Sequence, residues 1–290
     1  MKRYSHKFQI KEMAFVLEVS RSAYYAFISR EESSRSKENR RLTSLIQKAY
    51  QKSRKIYGSP RIHRELISQG ESCSRKRVAA LMQKAHICAK MHRRKKITTI
   101  SSKDTKSIAP NHLQQNFRMD EPNKVWVSDI SYISTQEGWL YLSIVIDLFS
   151  RRVVGMSMGK SLHAELVIKS LRQALKHRRP SGRLLHHSDR GVQYTSRDFE
   201  RLASQNGIEL SMSAKGHCYD NAVAESFFHT LKTEHVKFNK YKTREEAMAS
   251  LFEYVEMFYN RQRRHSTIGY LSPVEYEKIY EKQKVRVLVV

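Results

Sequence analysis

Val125-Trp126-Val127-Ser128-Asp129-Ile130 is a short apolar run broken by one carboxylate, and it decides what the second half of the chain is. Aromatic and β-branched residues packed this densely over six positions predict a buried strand. A nearly continuous apolar run follows over 139–146 and another over 152–158, so three strands with tight connections are expected. The last two form a hairpin across Asp147-Leu148-Phe149-Ser150. Ala164, Val167, Ile168, Leu171, Ala174 and Leu175 repeat at helical spacing. Leu184-Leu185 and the alternating Ile208, Leu210 and Met212 predict two further strands, with a helix around Phe199, Leu202 and Ala203 between them. Two long helices, about 220–236 and 243–261, close the chain. The sum is a mixed α/β plan around one central sheet.

Three carboxylates stand out against this plan. Asp129 sits inside an apolar strand, where an ionised side chain is costly unless it is paired or bound to metal. Asp189 follows the Leu184-Leu185 strand, just before Arg190-Gly191, at the kind of strand end where α/β sheets gather ligands. Glu225 lies on a helix opened by Asp220-Asn221-Ala222, with Asp220 a good N-cap. Taken singly, each is more commonly explained by a surface or capping role.

The front of the chain has a different character. The protein carries 54 Lys plus Arg against 28 Asp plus Glu, a net charge of +26, which points to a polyanionic partner and first to nucleic acid. Residues 1–120 hold 28 basic and 9 acidic side chains, so most of the excess is there. Residues 8–19 predict a weak helix, with a second after Ser20-Arg21-Ser22; together 1–30 form a small helical segment, itself a candidate helix-turn-helix. Leu42, Leu45, Ile46 and Ala49 mark a helix over about 38–53. Pro60 opens another, with Ile62, Leu66 and Ile67 facing inward and Gly70 at its end. Ser74 caps a third, carrying Val78, Leu81, Met82 and Ala85. Residues 38–88 thus form a helix-turn-helix module whose second helix begins Arg75-Lys76-Arg77, the end that enters the DNA major groove. Residues 89–121 are a basic linker containing Arg93, Arg94, Lys95 and Lys96, candidate DNA contacts. Residues 122–280 form the α/β core with its C-terminal helices and 281–290 a tail.

No apolar run reaches the roughly 18 residues that cross a bilayer, and no membrane partner is expected. Cys73, Cys88 and Cys218 form no CxxC pair, which argues against a zinc site or disulfide framework and suits a reducing cytoplasm.

The segments Trp126-Val127-Ser128-Asp129-Ile130-Ser131-Tyr132, His187-Ser188-Asp189-Arg190-Gly191-Val192-Gln193-Tyr194 and Asp220-Asn221-Ala222-Val223-Ala224-Glu225-Ser226-Phe227-Phe228 resemble the three signature blocks of DDE transposases. The match is to the OrfB-type enzymes of bacterial insertion sequences, relatives of retroviral integrases. Between Asp189 and Glu225 lie 35 residues, the family's interval. The tail Tyr259-Asn260-Arg261-Gln262-Arg263-Arg264-His265-Ser266, then Gly269-Tyr270-Leu271-Ser272-Pro273, also matches, as does Ile56-Tyr57-Gly58 with Arg61-Ile62. Ser replaces Thr at 128 and 131, a mild departure that leaves the acidic residues intact.

The resemblance implies a ribonuclease-H-like five-stranded mixed sheet with flanking helices. It implies Asp129, Asp189 and Glu225 as catalytic, metal-binding residues for two Mg2+ ions, with Mn2+ as substitute. Hard cations take oxygen ligands, and paired ions suit phosphodiester transfer. It implies double-stranded DNA as partner (element ends and target), a homo-oligomer on DNA, an upstream reading frame as the source of a further partner, and a bacterial, nucleoid-associated setting.

Lys232, seven residues after Glu225, returns to the same helix face and is a candidate DNA contact, as is Arg264. Asn221 and His187 are candidate supporting residues, His186 and Asp147 structural ones, and Phe227 and Phe228 core. Rival readings are a simple nuclease on the same fold, or a DNA-binding regulator with a decayed core. A retroviral-type integrase would need paired cysteines for its zinc module, and this chain has none.

Overall fold

A computed structural model describes residues 1–90, 109–214 and 218–288. The chain divides into two compact units, Met1–Cys88 and Ala89–Val290.

The first unit is all helical: α1 (Ile10–Val16), α2 (Arg21–Ser29), α3 (Ser34–Lys52), α4 (Ser59–Ser68) and α5 (Arg75–Lys84). Serines set three of the starts: Ser20, Ser33 and Ser74 each accept a hydrogen bond from the backbone N–H three residues on. The Ser33 cap explains why α3 begins ahead of the expected 38. Leu42, Ile46 and Ala49 of α3 are buried with Ile62 and Leu66 of α4 and Val78, Leu81 and Met82 of α5. Each large side chain so buried contributes roughly 1.5–3 kcal/mol. Ile67, expected to face inward, is 42% exposed; one step past Leu66 turns it about 100° off the buried stripe. Arg41 bridges Glu38 of its own helix and Glu71 beyond α4, tying α3 to the α4–α5 turn.

The second unit is built on a five-stranded sheet: β1 (Val125–Thr135), β2 (Gly138–Asp147), β3 (Val153–Gly159), β4 (Leu184–Ser188) and β5 (Ile208–Met212). The order is β3-β2-β1-β4-β5. β1, β2 and β3 pair antiparallel, whereas β4 runs parallel to β1 and β5 parallel to β4. This is the ribonuclease-H-like plan. Between strands lie α6 (Ala164–Arg178) and α7 (Arg197–Gln205). Trp126, Val145, Val154, Val167, Leu171, Phe199 and Ile208 form one buried cluster that joins both helices to the sheet. Gly155 lets α6 come close: a Cβ there would stand 2.2 Å from the Ser170 carbonyl oxygen.

The chain then runs through α8 (Ala222–Glu234), α9 (Arg244–Glu253) and α10 (Pro273–Leu288). The helix expected over 243–261 is two pieces, because after Glu253 it widens into a π-helical segment, Tyr254–Tyr259. That widening lets Tyr254, Val255, Phe258 and Tyr259 all point inward. The last helix continues to Leu288, into the segment expected as a 281–290 tail. It contains no Gly after its Pro273 start, and Glu277 anchors it in a buried ionic cluster with Arg152, Arg178 and Ser150. Arg178 also pairs with the fully buried Asp147, giving that residue the structural role read for it.

Candidate active site

β4 pairs with β1 only over Val125, Trp126 and Val127, so beyond that point one edge of β1 is open. Asp129 lies at the start of the open stretch, opposite Ile144 of β2, and its Oδ1 accepts the Ile130 N–H at 2.7 Å. Asp189 follows the last residue of the adjacent β4 and accepts the Gly191 N–H at 3.0 Å. Glu225 stands in the first turn of α8, where the helix dipole favours negative charge.

The three carboxylates, far apart in sequence, share one electrostatic field. Burial first, then Asp189 and more weakly Glu225, push the Asp129 carboxyl up to about 7. Burial also raises Asp189, against the pull of the Gly191 N–H. Glu225 is raised by burial and then by Asp189. Lys232 of α8 opposes the field at Asp129, and its own ammonium is lowered by burial. Among the described residues no three His, Cys, Asp or Glu side chains already close into a metal-binding group.

The neighbours hold the backbone of this site. Asn221, not Asp220, is the N-cap of α8, and its Nδ2 donates to the Ser128 carbonyl at 3.0 Å, binding the helix start to β1 beside Asp129. The expected cap, Asp220, is buried and instead accepts hydrogen bonds from Ala214 N–H, Asn111 and Gln115. His187 spends both ring nitrogens on Ser211 and Ser213, and burial lowers it to about 4, so it is a neutral link between β4 and β5. His186 pairs with Ser128 at 2.7 Å and is lowered by burial to about 3. Phe227 and Phe228 are buried.

The candidate DNA contacts divide. Arg75 and Lys76 are exposed at the start of α5. Arg77 is committed within its own unit, donating twice to Asn39 Oδ1 at 3.0 and 2.8 Å. Arg264 donates to the Tyr270 carbonyl at 3.0 Å and is half-buried in the C-terminal loop. Arg93, Arg94, Lys95 and Lys96 lie outside the described residues.

Two features escaped the sequence reading. Arg263, nearly buried, forms a forked pair with Glu234 at the end of α8, at 2.7 and 2.6 Å, and Tyr254 donates to the same carboxylate. Gly191 is crowded by side chains, since a Cβ would stand 2.9 Å from Gln193 Oε1 and 3.0 Å from Asp189 Oδ1, and both would have to shift to admit it. The charges of Arg263 and Glu234 were visible, but their pairing across 29 residues was not.

Comparison with known proteins gives the class, a polynucleotidyl transferase with an integrase core. Integrase core domain models match residues 119–218 and 225–279, and a model of an HTH-like domain matches 37–95. An insertion element IS600 uncharacterized 31 kDa protein from Shigella sonnei is 42% identical over 270 residues, 93% of this chain and 99% of that one. The transposase InsF for insertion sequence IS3A of Escherichia coli (strain K12) is 40% identical over 280 residues, 96% of each chain. The catalytic core domain of BIV integrase resembles the chain loosely, with 20% identity and a TM-score of 0.42 over 56% of this chain and 99% of that one. The chain belongs to the InsF-type transposases of IS3-family insertion sequences.

Proposed function

We propose that this transposase cuts and joins DNA strands at insertion-sequence ends by metal-dependent phosphodiester transfer, with Asp129, Asp189 and Glu225 as catalytic metal ligands. The observation that carries the reading is their shared field, which holds Asp129 up to about 7. Such a surplus of negative charge fits a divalent cation: the donors are hard carboxylate oxygens, as Mg2+ prefers, and burial strengthens the attraction. We assign two Mg2+ ions, replaceable by Mn2+, which would make a water or hydroxyl nucleophilic and offset charge on the phosphate.

In the first step water attacks phosphorus in line, a P–O bond forms, and the bond to the 3′ oxygen breaks to free a 3′ hydroxyl. In the second that hydroxyl attacks another phosphodiester and expels its 3′ oxygen, with no covalent protein intermediate. The protein contributes placement. Asn221 holds α8 against β1, keeping Glu225 near Asp129, and Lys232 stands ready to meet a phosphate. Residues 38–88 are assigned to DNA recognition through Arg75 and Lys76, with Arg93, Arg94, Lys95, Lys96 and Arg264 as further contacts. Bringing two ends together calls for a homo-oligomer, and a protein from an upstream reading frame is a candidate partner.

The test is to incubate labelled element ends with Mg2+ and score nicked and joined products. The wild type is expected to yield both and Glu225→Gln neither. Equal products from the two proteins would defeat the reading.

A further inference from the structure

On one face of the β1–β2 hairpin two large rings are left in solvent. Tyr132 is 56% exposed and Trp139 50%, although Ile133 and Leu140 beside them are buried. The register Tyr132↔Tyr141 and Ser134↔Trp139 makes them diagonal neighbours. Their centroids are 5.0 Å apart at 80°, edge to face. Arg244 fixes the hairpin by donating to the carbonyls of Trp139 and Glu137 at 3.0 and 2.6 Å. Lys232 Nζ rests 5.1 Å from the centre of the Tyr132 ring.

We propose that Tyr132 and Trp139 form a base-stacking platform for the DNA strand being cut, with Trp139 taking the face of a base and Lys232, seated on Tyr132, the phosphate beside it. The proposal rests on the transposase reading above and adds where the strand next to the scissile phosphate is held. Rings with a cation between them and the carboxylates match a chain of alternating base and phosphate better than they match a second protein surface, which would have to bury that cation. Residues 121–290, which carry the hairpin, are themselves basic, with 26 Lys and Arg against 19 Asp and Glu, and so favour the same occupant. Tyr132 lies three residues beyond Asp129 on an extended strand, about 10 Å away at roughly 3.3 Å per residue. In a stacked strand this spans about three nucleotides. Rings pinned on a paired hairpin lose little freedom on binding, so stacking is cheap there.

The chain has two tryptophans, and Trp126 is fully buried, so quenching of tryptophan fluorescence by DNA reports on Trp139. The experiment uses the full-length protein and element-end DNA carrying 2-aminopurine at successive positions near the cleavage point, without divalent metal. The wild type is expected to quench one position within about three nucleotides of the scissile phosphate. Trp139→Ala should lose that signal and bind the end about 5- to 150-fold more weakly, while Trp139→Phe keeps the signal. Unchanged melting temperatures guard against misfolding, and Tyr132→Leu provides a second variant. Trp139→Ala that stacks and binds like the wild type, while the wild type nicks the same ends in Mg2+, overturns the platform and leaves the transposase reading intact. Loss of self-association without loss of stacking would also overturn it, assigning the face to a second copy of the chain. A wild type that neither quenches the probe nor nicks the ends would remove both.

Discussion

Asp129 combines a strand position that β pairing demands with a charge that burial resists. Its folded-state carboxyl is raised to about 7, so without metal the fold binds a proton that the unfolded chain releases near 4. A raised folded value is a contribution present at low pH and lost as pH rises through 7. Asp129→Asn should therefore raise the metal-free melting temperature at pH 8 by a few degrees, and by much less at pH 5, in a calorimetric pH series. The histidines act in the opposite sense. His186 and His187 are lowered to about 3 and 4, so their contribution is complete above the ordinary value near 6.5 and is lost as pH falls toward 4. His186→Gln should flatten the acid limb of the same series; a limb of unchanged slope would show that other groups set it. Gly191→Ala would press on the Asp189 carboxylate, so strand cleavage should fall at least tenfold while thermal stability changes little. Equal loss of both would mean that the residue serves only the fold.

Among the elements, α8 matters most, because it carries Glu225 and Lys232 and is fixed at both ends. Asn221 ties its start to β1, and Arg263 grips Glu234 at its finish. Removing one partner of a buried ion pair costs roughly 3–5 kcal/mol. Glu234→Gln should show that loss in denaturant unfolding together with reduced cleavage; a change below about 1 kcal/mol would mean the pair does not hold the helix. Gly155→Ala, forcing a Cβ against Ser170, should cost about 1–3 kcal/mol by crowding α6 off the sheet. The first three strands were legible as apolar runs, β4 from Leu184-Leu185 alone and β5 from its alternation, and Asp129 was conspicuous as the carboxylate inside the first. The π-helical turn was not legible, since Tyr254 to Tyr259 read as ordinary helix until packing widens them. Tyr132 was hidden for a related reason: the apolar run read as a strand stops at Ile130, whereas pairing with β2 carries β1 on to Thr135.

For the whole molecule, fold separates the two units: the first is all helical and the second is built on a sheet. Sequence periodicity was enough to read three amphipathic helices in the first unit. It could not foresee that Arg77 would turn back to Asn39, because a partner 38 residues away leaves no local trace. Only Arg75 and Lys76 of that trio remain exposed. Replacing both with Ala should lower the slope of log affinity against log salt by up to about 2, since each phosphate contact contributes roughly 0.9. An unchanged slope would place DNA elsewhere on this unit. The carboxylates were legible as a set only through their neighbouring motifs; their common field depends on β1, β4 and α8 meeting. The most direct test of that meeting is the rise in melting temperature of the catalytic unit, within the full-length protein, as Mg2+ or Mn2+ is added. The wild type should show a saturable rise, and Asp129→Asn, Asp189→Asn and Glu225→Gln should each abolish it. A rise that survives intact in any one of the three would show that the carboxylates do not act as a single metal site.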